Sequence, residues 1–338
     1  MTNSQRFAVW ASVALILVPL AAGQRYSITD LGTFPGGTVS EGDGINNLGQ
    51  IAGYARFANT NAHGTVWSES TGLVDLGSIP PLSNFSVAQG INSFGDVVGY
   101  SDYSQLQAQY AVLWRRGKLI NLGMLPGGTE SQANAINDRD QIAGWSNGGN
   151  ISPHATLWTI KGGPQDLGTL PGGYYSQGIA INIETQVVGF SNVTTGDWYA
   201  FLWSKSAGMR TLANLPGSRP PASANGINDL GEAVGGTGSY AVLWHNDKNH
   251  TPQNLGTLPG QTWSTAFAIN NAGQVVGWSG FIAFIWTQEK GMQDLNKLIP
   301  SNSGWSLSVA NSINVQGQIT GQGTINGQQH GFLLTPIP

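Results

Sequence analysis

The pair Ile-Asn returns seven times along this chain, with its asparagine at Asn46, Asn92, Asn137, Asn182, Asn228, Asn270 and Asn314, at intervals of 42 to 46 residues. A period of that length signals stacked copies of one supersecondary unit, none able to bury its apolar face alone. Each Asn opens a short turn, as in "INNLGQIAG", "INSFGDVVG" and "INNAGQVVG", flanked by alternating small and β-branched residues, which predicts a hairpin. Further on comes an apolar run closed by Trp in six copies ("HGTVW", "YAVLW", "HATLW", "YAFLW", "YAVLW", "IAFIW") and reading "HGFLL" in the seventh, which predicts a third strand. A loop then leads to "VDLG", "INLG", "QDLG", "RTLA", "QNLG" or "QDLN", a fourth strand ahead of an "LPGG"-type turn. Four short strands and Gly-rich turns per repeat are the content of one propeller blade.

The ends decide between a closed ring and an open stack. The first copy of the fourth strand, "YSITDLG" at 26–32, precedes every Ile-Asn, and the seventh unit stops at "GFLLTPIP" without one. Each end supplies what the other lacks. An open solenoid would need polar capping repeats, whereas pairing of the N-terminal strand with the last blade leaves no end interface exposed. The expected fold is all-β: a seven-bladed β-propeller of four-stranded antiparallel blades, one domain over residues 24–338.

The segment before it reads differently. "MTNSQRFAVWASVALILVPLAAG" has a polar start with Arg6, an apolar run from Phe7 to Leu20 and small residues Ala21, Ala22 and Gly23. This is the pattern of a signal peptide over residues 1–23, and the run is short for a membrane span of about 20 residues. Secretion, extracellular or periplasmic, is expected, with no stable membrane insertion after cleavage; a retained anchor is the alternative. Without cysteine the chain has no disulfide, thiolate metal site or thiol nucleophile. Charged residues make up 9% of the chain, the formal net charge is −4, and "RRGK" at 115–118 is the densest basic cluster. Nothing there suits a phosphate backbone, so nucleic acid is not an expected partner.

The combination of "H/Y-A-x-L-W", "DLGTLPGG" and an Ile-Asn turn running into "GQVVG" resembles the HAF repeat family of predicted extracellular bacterial proteins. The resemblance covers nearly all of residues 26–334. The His of the family's His-Ala-Phe run stands at His63, His154 and His330, replaced by Tyr110, Tyr199, Tyr240 and Ile282 elsewhere. Unit five departs most, with "TLANLPGSRPPASANGIN" at its junction. The resemblance implies a secreted repeat protein and carries over no catalytic residue.

Most striking residue types occupy repeat slots and so read as architecture. Trp67, Trp114, Trp158, Trp203, Trp244 and Trp286 fill one slot and are expected to pack blades. His63, His154 and His330 are expected to satisfy backbone groups at the strand entrance, and Ser40, Ser86, Ser131, Ser176, Ser264 and Ser308 to cap the turn between blades. A metal ion needs ligands converging within about 2–2.3 Å, which nothing in the sequence predicts; no metal or cofactor is expected. Among the acids, Asp30, Asp75, Asp166 and Asp294 hold the DLG slot, leaving few others such as Glu41, Asp43, Asp102, Glu130 and Asp197.

In a four-stranded meander the loops joining second to third strand and those joining blades emerge on one face. That face is expected to carry Tyr103, Trp145, Tyr174, Tyr175, Asp197, Trp198 and Trp263, with Trp278. Unit four concentrates them in "GGYYS" and "TTGDWYAF", and rings beside neutral donors and acceptors suit sugar faces, though such rings also serve simply to cover loop backbone. The second candidate is the residue three before each Asn: Asp43, Gln89, Asn134, Ile179, Asn225, Phe267 and Asn311. If these face the channel, a largely amide ring lines it; the competing reading is that they hydrate the inner strand edge. The leading expectation is a secreted, non-catalytic binding propeller whose partner is a glycan, a cell-surface polymer or a protein. The alternative is a carbohydrate-active hydrolase or lyase using Asp43, Asp197 or Glu130.

Overall fold

The computed structural model describes residues 25–58, 61–79, 85–103 and 108–337, so the apolar N-terminal segment lies outside the described residues. The described chain forms seven four-stranded antiparallel sheets arranged as a seven-bladed β-propeller. Blade 1 is typical: its strands are Ser40–Ile45, Ile51–Arg56, Ala62–Ser68 and Gly72–Asp75, running from the central channel outward. Blades 2 to 6 repeat this order over 86–121, 131–166, 176–211, 222–256 and 264–294.

Blade 7 is assembled from both ends. Strands Trp305–Ile313, Ile319–Ile325 and Gln328–Ile337 are completed by Arg25–Asp30, which pairs antiparallel with the last of them, Ile28 opposite Leu334 and Asp30 opposite Phe332. Tyr26, Phe332 and Leu334 are fully buried in this closing blade. The N-terminal strand therefore contributes both main-chain ladder and core.

Cores form between blades rather than within them. Val98, Ala111 and Leu113 of blade 2 meet Ala133, Ile136, Ile142 and Trp158 of blade 3, and the same pattern recurs around the ring. The slot tryptophans are all buried against the neighbouring blade, and Leu334 takes the slot in blade 7. Indole Nε1 of Trp158 donates to Gly123 O and that of Trp244 to Ala213 O, both in the connection from the preceding blade.

Two sets of polar side chains stitch the wedges. Ser86, Ser131, Ser176 and Ser264 each accept an N–H from the third strand of the previous blade and donate to a glycine carbonyl of the incoming connection. Ser308 does not: an extra irregularity shifts its strand, its hydroxyl donates to Gln322 O, and the amide of Asn296 exchanges two bonds with Leu307 instead.

The second set is the asparagine of every Ile-Asn pair. Nδ2 of Asn46 donates to Asn92 O, that of Asn92 to Asn137 O, and so on through Asn182, Asn228, Asn270 and Asn314 until Asn314 donates to Asn46 O. Seven side chains thus close a ring around the channel. Their Oδ1 atoms accept the N–H groups two and four residues on, holding each turn. With Nδ2 also bonded to the residue four on, Gln186 Oε1 in the case of Asn182, the buried amide is fully satisfied.

Every innermost strand carries a β-bulge three residues before its Asn, for instance between Gly42 and Gly44 or between Ala133 and Ala135. The bulge brings the first strand so close that a Cβ on the facing Gly144 would stand 2.0 Å from Gln132 O, with equivalent contacts at the matching glycine of all seven blades. That glycine is the one in "VVG" and "IAG" of five blades, and in "AVG" and "ITG" of blades 5 and 7.

Deleting residues 24–32 should cost at least about 5 kcal/mol, or abolish folding, because a whole strand and the Tyr26 packing leave the closing blade; urea unfolding checks this, and a variant as stable as the parent would contradict it. Asn182→Ala removes a buried amide that donates to Asn228 O and Gln186 Oε1 and accepts the N–H groups of Glu184 and Gln186, and a loss of about 2 kcal/mol or more is expected in the same assay.

Candidate functional site

The bulges decide what faces the channel. The ring positions Asp43, Gln89, Asn134, Ile179, Asn225, Phe267 and Asn311 are the bulged residues of the seven inner strands, and with Gln132 and Gln177 they line a mouth of about 420 Å³ on the face of the interblade connections. A bulge turns a side chain out of the ladder's alternation. Amide Nδ2 of Asn134, Asn225 and Asn311 donates to Gly178 O, Ala266 O and Gly42 O of the next blade. The amides therefore both join blades and line the lumen.

Blade 1 alone puts a carboxyl in this ring. Glu41 lies beside Asp43 and receives hydrogen bonds from Asn311 Nδ2, at 2.9 Å, and from the Tyr54 hydroxyl. Asp43 Oδ2 is buried, and the Asp43 carboxyl has no side-chain partner other than Glu41 beside it. Among the described residues neither acid forms an ion pair. Burial, and then the Glu41 charge, push the Asp43 carboxyl well above its usual range; burial also raises Glu41, against the bonds from Asn311 and Tyr54. The Tyr100 hydroxyl nearby is pushed up to about 12, chiefly by burial. A proton held by the carboxyl pair is the natural state of such a site.

Around the mouth the second strands carry Tyr54, Tyr100, Trp145, Phe190 and Trp278, each opposite the residue two before the ring position. Trp145, at 8% exposure, is packed into its blade rather than presented at the rim. In blade 4 the sequence-derived Tyr175 and Trp198 do meet, rings 5.1 Å apart and edge to face, around Phe190, which also lies 5.5 Å from Trp198. Tyr174 points away and is 62% exposed, although its N–H and that of Tyr175 both donate to Asn192 Oδ1. Asp197 is an exposed loop residue accepting from Thr195 Oγ1. In blade 6, Trp263 meets Trp278 at 4.0 Å, and both touch the exposed Phe281. Tyr103 ends the second strand of blade 2, opposite Ala108.

Phe190 was not among the expected residues although its slot is aromatic in five blades, Phe281 follows the second strand of blade 6 in a short turn, and the period-two spacing of Glu41 and Asp43 was the available signal for Glu41. Glu130 and Asp197 are remote from Asp43 in the fold, on blades 3 and 4, and neither lines the channel.

The histidines differ from expectation. Nδ1 of His63, His154 and His330 bonds a carboxylate, that of Asp75, Asp166 and Asp30, at 2.9–3.0 Å. Third and fourth strands pair so that the two slots are neighbours, and three of the four blades without His also lack the Asp, with Asn121, Thr211 and Asn254 in its place. Burial raises Asp166, but the bonds from His154 and the Gly168 N–H outweigh it and hold the carboxyl below its usual range. These pairs are structural.

A larger cleft of about 980 Å³ opens between blades 1 and 2 beside Arg115. Its charge is already spent, since Arg115 bonds Asp96 at 2.6 Å and also Asp140. The channel mouth is the stronger candidate.

No protein-family model and no curated protein matches the chain. Its fold is shared with solved structures of streptogramin B lyase (TM-score 0.57, 8% identity, covering 93% of this chain and 98% of that one). It is also shared with the extracellular domain of a hybrid two-component system from B. thetaiotaomicron (TM-score 0.56, 11% identity, 93% of this chain and 40% of that one). Puromycin hydrolase is a third (TM-score 0.53, 12% identity, 90% of this chain and 52% of that one). These likenesses establish the fold. Among the described residues no helix is long and apolar enough to cross a membrane.

The carboxyl pair carries a stability signature. An acid whose folded pKa is raised holds its proton longer in the folded state, so stability is full below the unfolded value of about 4 and declines as pH rises toward the folded value. Asp43→Asn should therefore melt higher than the parent at pH 7 to 8 and lose that advantage near pH 4, as followed by thermal unfolding across pH.

Proposed function

We propose that this protein is a secreted, non-catalytic binding propeller of the HAF-repeat type that recognises a glycan or a related hydroxyl-rich cell-envelope polymer at the channel mouth and its aromatic rim. The observation that carries the reading is the composition of the mouth. Four of its seven ring positions are amides, and Ile179 and Phe267 sit on the blades that bear the two aromatic clusters. A pyranose offers hydroxyls to amides and C–H groups to apolar and aromatic surface, and a few convergent polar groups in a concave mouth are what a small-ligand site needs. Secretion rests on Arg6, the run from Phe7 to Leu20 and the small residues Ala21 to Gly23.

A second reading, a carbohydrate-active hydrolase or lyase, is favoured by one feature: Glu41 and Asp43 are a half-buried carboxyl pair with raised pKa values, the kind of group that serves as a general acid at neutral pH. Asp197 and Glu130 offer no comparable environment.

A glycan-array screen followed by calorimetry on any hit tests the proposal. Trp198→Ala and Gln89→Ala are each expected to weaken binding by about tenfold without turnover of the ligand. Binding indifferent to both changes would remove the assigned face, and release of reducing ends or unsaturated products, abolished by Glu41→Gln, would replace the binding reading with the enzymatic one.

A further inference from the structure

The mouth is not symmetric. Asp43 on blade 1 stands between Asn311 on blade 7 and Gln89 on blade 2, whereas Ile179 lies across the channel on blade 4 and Phe267 on blade 6, two blades from Asp43, with the Asn225 amide of blade 5 between them. One side gathers oxygen acceptors. Away from it the ring holds two apolar residues, Ile179 and Phe267, on the blades that carry the clusters of Tyr175, Phe190 and Trp198 and of Trp263, Trp278 and Phe281.

Resting on the glycan reading, we propose that the carboxyl side of the mouth binds the ammonium group of a de-N-acetylated amino sugar, whose C–H groups meet Ile179 and Phe267 as the sugar crosses the mouth. Asp43 lines the mouth with only the Glu41 carboxyl as a side-chain partner, and Glu41 has bonds from Asn311 and Tyr54 but no cationic partner. An ammonium supplies three donors on a single charge, and hydrogen bonds between charged groups are the strong ones. On the same face the acids Glu41, Asp43, Asp102, Glu130 and Asp197 outnumber the bases Arg56, Arg219 and Lys297. The field at the mouth therefore favours a cation.

A divalent metal ion fits less well. It needs six or more oxygens at about 2.3–2.6 Å, and among the described residues no three His, Cys, Asp or Glu side chains cluster. The titratable groups facing the pair are Tyr54 from the second strand of blade 1 and Tyr100 and Asp102 from that of blade 2, with Arg56 near Tyr54. Binding of an ammonium should ionise the pair and release a proton.

Isothermal titration with the β-1,4-linked tetramers of glucosamine, N-acetylglucosamine and glucose, in two buffers of different ionisation enthalpy, tests this. The expected result is a preference of about tenfold or more for the glucosamine tetramer, accompanied by proton release, and reduced to near parity in both Asp43→Asn and Glu41→Gln. Because these substitutions are close in shape, unchanged circular dichroism establishes that the variants are folded. Equal or tighter binding of the N-acetylated or glucose tetramer overturns the amine assignment and leaves the glycan reading standing. Binding of none of the three overturns the inference, and an empty glycan array would take the broader reading with it. Stronger binding of a tetralysine peptide, or stabilisation by calcium ions that Asp43→Asn abolishes, would overturn it in favour of a protein or a metal ligand.

Discussion

The ring of asparagine amides around the channel is the interaction on which the rest of the molecule depends. Each Nδ2 reaches the carbonyl of the next blade's asparagine, and the last reaches the first, Asn314 to Asn46. No blade satisfies its own turn and its neighbour's carbonyl in isolation. A buried amide or carbonyl without its partner costs about 1–3 kcal/mol, so a broken ring would carry that cost at its open end together with an exposed interblade core. The pairing of Arg25–Asp30 with Gln328–Ile337 is what allows the circle to shut.

Within that frame the inner strands have unusual freedom. Because the ring-facing residue sits in a bulge, it is outside the alternation that fixes core and surface positions along the strand. Its identity changes from Asp43 to Gln89, Asn134, Ile179 and Phe267 without disturbing the ladder. The facing glycine is the price of this arrangement, since the bulged strand comes too close to tolerate a side chain there. Variation at the mouth is thereby separated from the repeat that builds the scaffold.

Electrostatics follow the same division. A chain with 9% charged residues solvates itself largely with amides and hydroxyls, and its structural ion pairs are local: His with the DLG Asp in three blades, Arg115 with Asp96 and Asp140. Glu41 and Asp43 stand apart, half-buried and, among the described residues, without a counter-ion, at the junction where blade 1 meets Asn311 of the closing blade. Charge of this kind is costly to folding.

The sequence by itself determined the number of blades, the four strands of each, the order of the ring and the way its ends meet, because a repeat reports every equivalent position seven times and the incomplete terminal units reveal the join. It also pointed to the ring residues by their fixed distance from each Asn. Tertiary structure decided what periodicity cannot encode. The bulges that turn Asp43 and its counterparts toward the lumen, the meeting of Tyr175 and Trp198 around Phe190, the burial of Trp145 and the partnership of His154 with Asp166 all depend on which strands lie side by side. Slots shared by all repeats are legible in one dimension because they perform one task seven times. The site arises where single blades differ, and a difference acquires meaning only from the neighbours that the closed ring places against it.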